Sequence, residues 1–220
     1  MAQIETVQIP VAHGTLEGLM RLPDAVADAS EAPTAHATPP MAAVVCHPHP
    51  RGGGTMHNKV VFRVAQALGE VGMPTLRFNF RGVGRSTGSF DEGRGERDDV
   101  RAALEYLAAA FPHSALCLAG FSFGAWVGLP VGAADARVGQ LIGVGVPVES
   151  LEVDPLAGCA TPKLIVQGDH DQYGPPDSLR AWYQRLSEPK HLIVVPGADH
   201  FFTHHQAELR EAIVAYFAPR

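Results

Sequence analysis

Apolar and polar positions alternate at the start of the chain. Ile4, Val7 and Ile9 mark one face of a strand over Gln3 to Pro10, and a second strand over Thr15 to Leu22 follows a turn at His13-Gly14. From Pro23 to Pro40 the periodicity disappears among Pro, Ala, Asp, Ser and Thr, which predicts a flexible surface loop. Beyond it, short apolar runs alternate with helical periods. The runs predict strands at Met41 to Cys46, Thr75 to Asn79, Ala115 to Ala119, Gln140 to Val146, Lys163 to Gln167 and His191 to Val195. Between and after them, helices are predicted at His57 to Glu70, Glu96 to Phe111, Phe123 to Ala134, Pro176 to Leu186 and His204 to Tyr216. In the helix at Glu96 to Phe111, Val100, Leu104 and Leu107 share a face, with Asp98, Arg101 and Glu105 elsewhere.

Strands alternating with helices predict an α/β fold. The expectation is a mainly parallel eight-stranded sheet with an N-terminal antiparallel hairpin, helices on both faces and functional loops at the strand C-termini. No fixed-period repeat or heptad pattern competes with this architecture. One segment tests it: Ser114 to Ala134 is uncharged and carries Gly120, Gly124, Gly128 and Gly132 at the spacing of membrane helix contacts. Ser114, Ser122 and Pro130 interrupt it and its opening reads as a strand, so a strand followed by a buried helix is preferred.

Composition narrows the partners. With 220 residues, 46% hydrophobic and 18% charged, the chain reads as a single domain spanning 1–220 with one sizeable core. A net charge of -6 and a pI near 6.0 argue against nucleic acid and against an anionic membrane surface. Cys46, Cys117 and Cys159 are odd in number and form no CxxC, so they read as reduced core residues. The first basic residue is Arg21, leaving no basic-apolar export signal at the start, and the expected location is cytoplasmic.

The chemistry concentrates at Gly120-Phe121-Ser122-Phe123-Gly124, a Gly-x-Ser-x-Gly between a buried strand and a helix. A sharp strand-to-helix turn strains the serine backbone and needs small neighbours to clear the adjoining elements. Serine is a weak nucleophile without a base and a carboxylate to orient that base. Later strands end in Gly168-Asp169-His170-Asp171 and in Pro196-Gly197-Ala198-Asp199-His200, placing serine, aspartate and histidine in the chain order this fold uses. Asp169 and Asp171 both qualify on spacing; Asp199, adjacent to His200, reads as a turn residue.

These motifs resemble the α/β-hydrolase family, and more closely its small lidless bacterial serine hydrolases. The resemblance runs from about Val44 to the C-terminus through His47-Pro48-His49-Pro50, Gly53-Gly54-Thr55-Met56, Arg77 to Ser86, Gly120 to Gly124 and Gly197 to Phe201. It implies a triad of Ser122, Asp171 and His200, with the Gly-x-x-Asp pattern falling on Gly168 and Asp171. It also implies an oxyanion hole made by the backbone N–H groups of Phe123 and His49. Many relatives carry His-Gly where this chain has His47-Pro48.

The resemblance implies hydrolysis of small or medium carboxylic esters through an acyl-enzyme, with a small-molecule acyl ester as partner and no cofactor. Thioester or peptide cleavage on the same triad, and a non-catalytic binding protein of the same fold, are the alternatives. A metal site built from His47, His49, His57, His200, His204 and His205 lacks the HExxH and CxxC spacings of zinc sites. Gly82-Val83-Gly84-Arg85-Ser86-Thr87-Gly88 has Thr87 where a dinucleotide turn needs glycine. Arg51 and Arg81 read as solvated rim residues, with contact to an anionic substrate group as the alternative. Val148 to Thr161 is too short for a cap, so an open site shaped by loops near Arg51, Tyr173 and Phe201 is expected.

Overall fold

A computed structural model describes residues 3–23, 40–150, 156 and 158–218. Residues 24–39 of the loop expected between Pro23 and Pro40 lie outside the described residues. Eight strands form one sheet in the order β1-β2-β4-β3-β5-β6-β7-β8: β1 Gln3–Val11, β2 Gly14–Leu22, β3 Met41–Cys46, β4 Thr75–Phe78, β5 Ala115–Phe121, β6 Val138–Val144, β7 Lys163–Gly168 and β8 Lys190–Val195. The β1-β2 hairpin is antiparallel and joins β4 in antiparallel register, Gly18 opposite Phe78. All later pairings are parallel.

Among the described residues five helices cover the sheet: α1 Lys59–Glu70, α2 Arg94–Ala110, α3 Phe123–Ala133, α4 Pro176–Arg185 and α5 Gln206–Phe217. Apolar side chains of α2, α3 and α4 pack on one face, and those of α1 and α5 on the other. Being covered on both sides, β3, β5 and β7 read as continuous apolar runs, whereas β1 exposes most of its residues. From β3 the chain moves outward to β4, then returns to β5 on the opposite side of β3. That reversal makes β3 and β5 the sheet's switch point, and the chemistry-bearing loops follow the C-termini of β3, β5, β7 and β8.

Element ends differ from the pattern-based expectation for local reasons. Helix α1 starts at Lys59 because the side chain of Asn58 accepts the N–H groups of Val60 and Val61. Strand β6 spans Val138–Val144, two residues earlier than expected, since Gly145 turns out of the strand at φ 53°. Helix α5 starts at Gln206 because Phe202 and His204 hold left-handed φ values of 52° and 63°. The uncharged Ser114–Ala134 stretch divides at Ser122 into β5 and α3, and no described helix is long and apolar enough to cross a membrane. Its glycine spacing serves close packing: a Cβ at Gly132 would sit 2.7 Å from Leu118 Cδ2.

Candidate active site

Ser122 occupies the junction of β5 and α3 with φ 55° and ψ -120°, a conformation that costs a non-glycine residue about 1–3 kcal/mol. The glycines on either side permit it by sparing collisions. A Cβ on Gly120 would lie 2.4 Å from the Gly124 carbonyl oxygen, and one on Gly124 would lie 2.5 Å from the Cys46 carbonyl oxygen. The Ser122 N–H donates to Val144 O at 3.0 Å, tying the turn to β6, while Ala125 and Trp126 donate to Ser122 O. Serine is thereby fixed at the helix start.

Ser122 Oγ lies 2.9 Å from His200 Nε2, and His200 Nδ1 lies 2.8 Å from Asp171 Oδ2. The structure therefore brings together the three side chains singled out from the sequence. Asp171 is buried and fully engaged: Oδ1 accepts the Tyr173 N–H at 2.8 Å, and Oδ2 also accepts from Gln167 Nε2 at 2.9 Å. An acceptor-only carboxylate at Asp171 Oδ2 leaves His200 Nδ1 to donate, so Nε2 faces Ser122 as the acceptor tautomer. Asp169 accepts the Gly197 N–H at 2.6 Å instead, linking the loops after β7 and β8, and Asp199 accepts from Phe201 and Thr203 as a turn residue.

Gln167 was not singled out from the sequence. It is buried at the end of β7, accepts the Val146 N–H at 2.8 Å through Oε1 and donates to Asp171 through Nε2. Its amide orientation follows from these partners, since an N–H needs the oxygen and a carboxylate needs the nitrogen. A polar residue closing the apolar run Lys163 to Gln167 was the available signal.

The loop after β3 carries the second expected oxyanion donor. Pro50–Gly52 form a short 3-10 turn after His49, with Gly52 and Gly54 donating back to the His49 carbonyl at 3.0 Å. His47 anchors the loop from below. Its Nε2 accepts the Phe80 N–H at 3.0 Å, which leaves Nδ1 to donate to Pro48 O at 2.6 Å. Burial lowers the His47 pKa to about 4, so this imidazole is neutral near pH 7. The His49 ring packs between Phe90 and Phe123, at centroid distances of 5.0 and 4.9 Å. Among the described residues, neither the Phe123 nor the His49 backbone N–H has a hydrogen-bond acceptor.

A family model described as an alpha/beta hydrolase domain matches residues 41–213. The chain belongs to the alpha/beta hydrolase family. It is 39% identical to an alpha-beta serine hydrolase homologue from Coxiella burnetii, whose structure matches with a TM-score of 0.87 over 97% of each chain. A serine hydrolase without lid from Xanthomonas campestris is 36% identical, with a TM-score of 0.83 over 99% of this chain and 96% of that one. An uncharacterized protein of Rickettsia prowazekii is 38% identical over 83% of this chain and 81% of its own length.

In this alpha/beta hydrolase, residues 145–162 alone separate β6 from β7, and the described part of that connection contains a 3-10 turn at Val148–Ser150 rather than a cap. Tyr173 and Phe201 flank the His200 ring at 4.5 and 5.1 Å and are about half exposed, at 50% and 49%. Arg51 is exposed at the rim and stacks over Phe90 at 5.0 Å. Arg81 departs from the rim role expected of it: its guanidinium pairs with the buried Asp99 at 2.7 Å. The Gly82–Gly88 segment is pinned to the N-terminal hairpin, Ser86 Oγ bonding Asn79 O and the Glu17 N–H, and Thr87 pairing with Thr15. All three cysteines are free. Burial raises the thiol pKa of Cys46 and Cys117, while Cys159 is only half-buried, not the core residue expected.

Proposed function

We propose that this protein is a serine hydrolase that cleaves small or medium carboxylic esters through an acyl-enzyme. The observation that carries the reading is the unbroken hydrogen-bond chain from Ser122 Oγ through His200 to Asp171, anchored on a strained strand-to-helix turn. Ser122 Oγ attacks the ester carbonyl carbon while His200 Nε2 takes its proton, and Asp171 holds the ring and stabilises the imidazolium. The N–H groups of Phe123 and His49 receive the oxyanion, whose charge forms only after attack and rewards donors already in place.

As the tetrahedral intermediate collapses, the bond to the leaving oxygen breaks and His200 returns its proton to the departing alcohol. Water then attacks the acyl carbon, giving its proton to His200; collapse breaks the bond to Ser122 Oγ, His200 returns the proton to that oxygen, and the acid is released. Half-exposed Tyr173 beside His200 supplies apolar surface to an open site, which suits varied small acyl groups better than one long chain.

Intact-mass analysis after exposure to a fluorophosphonate tests the nucleophile without a guess about substrate. One adduct on the native protein and none on Ser122→Ala is expected. A folded native protein that takes up no label would sink the proposal. A panel of 4-nitrophenyl esters of graded chain length then measures acyl preference.

A further inference from the structure

We infer that the leaving alcohol of the natural ester carries an anionic group, received in a groove beside His200; this rests on the serine hydrolase reading above. A cavity of about 700 Å³ begins at Phe201, immediately after His200, and runs between the starts of α1 and α5. Its walls include His57, Lys59, Thr203 and His204, and a smaller adjoining cavity of about 370 Å³ adds Arg63. Among the described residues no aspartate or glutamate lines either one, in a protein whose net charge is -6. The cationic lining is therefore a local departure from the protein's overall field.

The position assigns the groove to one side of the scissile bond. His200 must return a proton to the leaving oxygen, so the alcohol part lies on the His200 side and extends past Phe201, whose ring is 5.1 Å from that imidazole. Two features fit an anion there. Lys59 brings a fixed positive charge, and His57 and His204 bring ring N–H donors. Asp199 accepts the Phe201 and Thr203 N–H groups, and neither it nor Glu208 in the first turn of α5 lines the groove. His204 is held at a left-handed φ of 63°, a strained backbone that presents its ring at the groove wall.

The test compares 1-butyrylglycerol with 1-butyrylglycerol 3-phosphate, which share an acyl group and a closely similar leaving oxygen. The phosphorylated ester should show a kcat/KM about tenfold higher, carried by KM, and raising the ionic strength about tenfold should erase the difference. Lys59→Glu, whose new carboxylate suits a helix first turn, should abolish the preference, lowering kcat/KM for the phosphorylated ester about tenfold more than for 1-butyrylglycerol. In parallel, glycerol 3-phosphate is titrated into the native protein and Lys59→Glu by calorimetry, a readout that needs no turnover. Binding should weaken about fivefold or more in the variant. Equal kcat/KM for both esters, or binding unaffected by Lys59→Glu, overturns the inference even if Ser122 takes the fluorophosphonate label. Binding of glycerol 3-phosphate without labelling of Ser122 overturns the assignment to a leaving group, and separates that failure from a failure of the groove.

Discussion

Gln167 donates its side-chain N–H to Asp171 Oδ2 at 2.9 Å while its carbonyl accepts the Val146 N–H, so one buried amide ties the loop after β6 to the carboxylate that orients His200. Gln167→Ala strands a buried N–H and withdraws a donor from the carboxylate, at a cost of about 1–3 kcal/mol in stability. Urea unfolding should register that loss, and kcat on 4-nitrophenyl butyrate should fall about tenfold with little change in KM. Gln167→Glu sets a second carboxylate against Asp171 and should lower kcat further. Unchanged kcat in both variants would remove Gln167 from any positioning role.

The two aspartates on the same loop should separate cleanly. Asp171→Asn replaces an acceptor with an amide and removes a charge beside His200, which predicts a loss of about 10³–10⁴ in kcat, the scale of the equivalent change in a serine protease. Asp169→Asn touches only the Gly197 N–H and should leave kcat within about threefold, while shifting loop stability by about 1 kcal/mol. Steady-state kinetics on 4-nitrophenyl butyrate checks both. A comparable loss from Asp169→Asn would mean that the loop rearranges during turnover.

Much of this arrangement was legible because it is local. Gly120 to Gly124 announces its turn through residues that must be small, and Gly168-x-x-Asp171 and Gly197-x-x-His200 sit where strands end. The same locality explains what was missed. Gln167 matters through a contact across β6 and β7, and Val146 lies 21 residues away in sequence. Arg81 looked like a rim residue because its partner Asp99 lies on another element, with its carboxylate buried against the sheet. The insertion of β4 between β2 and β3 is likewise set by tertiary pairing, which period alone does not encode.

Gly124 offers a steric test. A methyl group there would meet the carbonyl oxygens of Cys46 and His47 at 2.5 and 2.6 Å, both backbone atoms below the expected oxyanion loop. Gly124→Ala must push α3 away from β3, with a destabilisation of about 1–3 kcal/mol and displacement of the Phe123 N–H. Thermal unfolding and fluorophosphonate labelling rates on the soluble variant should both decline. Native values for both would show that the turn has room to spare.

His47 makes stability depend on pH, and the sign follows from its depressed pKa. The folded value is about 4 against a reference near 6.5, so between those limits the unfolded chain binds a proton that the native imidazole refuses. Stability from this group is complete above about pH 6.5 and declines as pH falls toward 4, reaching a loss of about 2 kcal/mol near pH 5. Protonation places a hydrogen on Nε2, where the Phe80 N–H already points, so the bond holding the loop after β3 to the segment after β4 is lost. Urea unfolding near pH 7 and pH 5 should show this decline in the native protein. His47→Gln keeps an acceptor near Phe80 but does not titrate, so its stability should fall less over the same interval. An equal decline in the variant would assign the pH dependence to other groups and leave the Phe80 contact without a titrating partner.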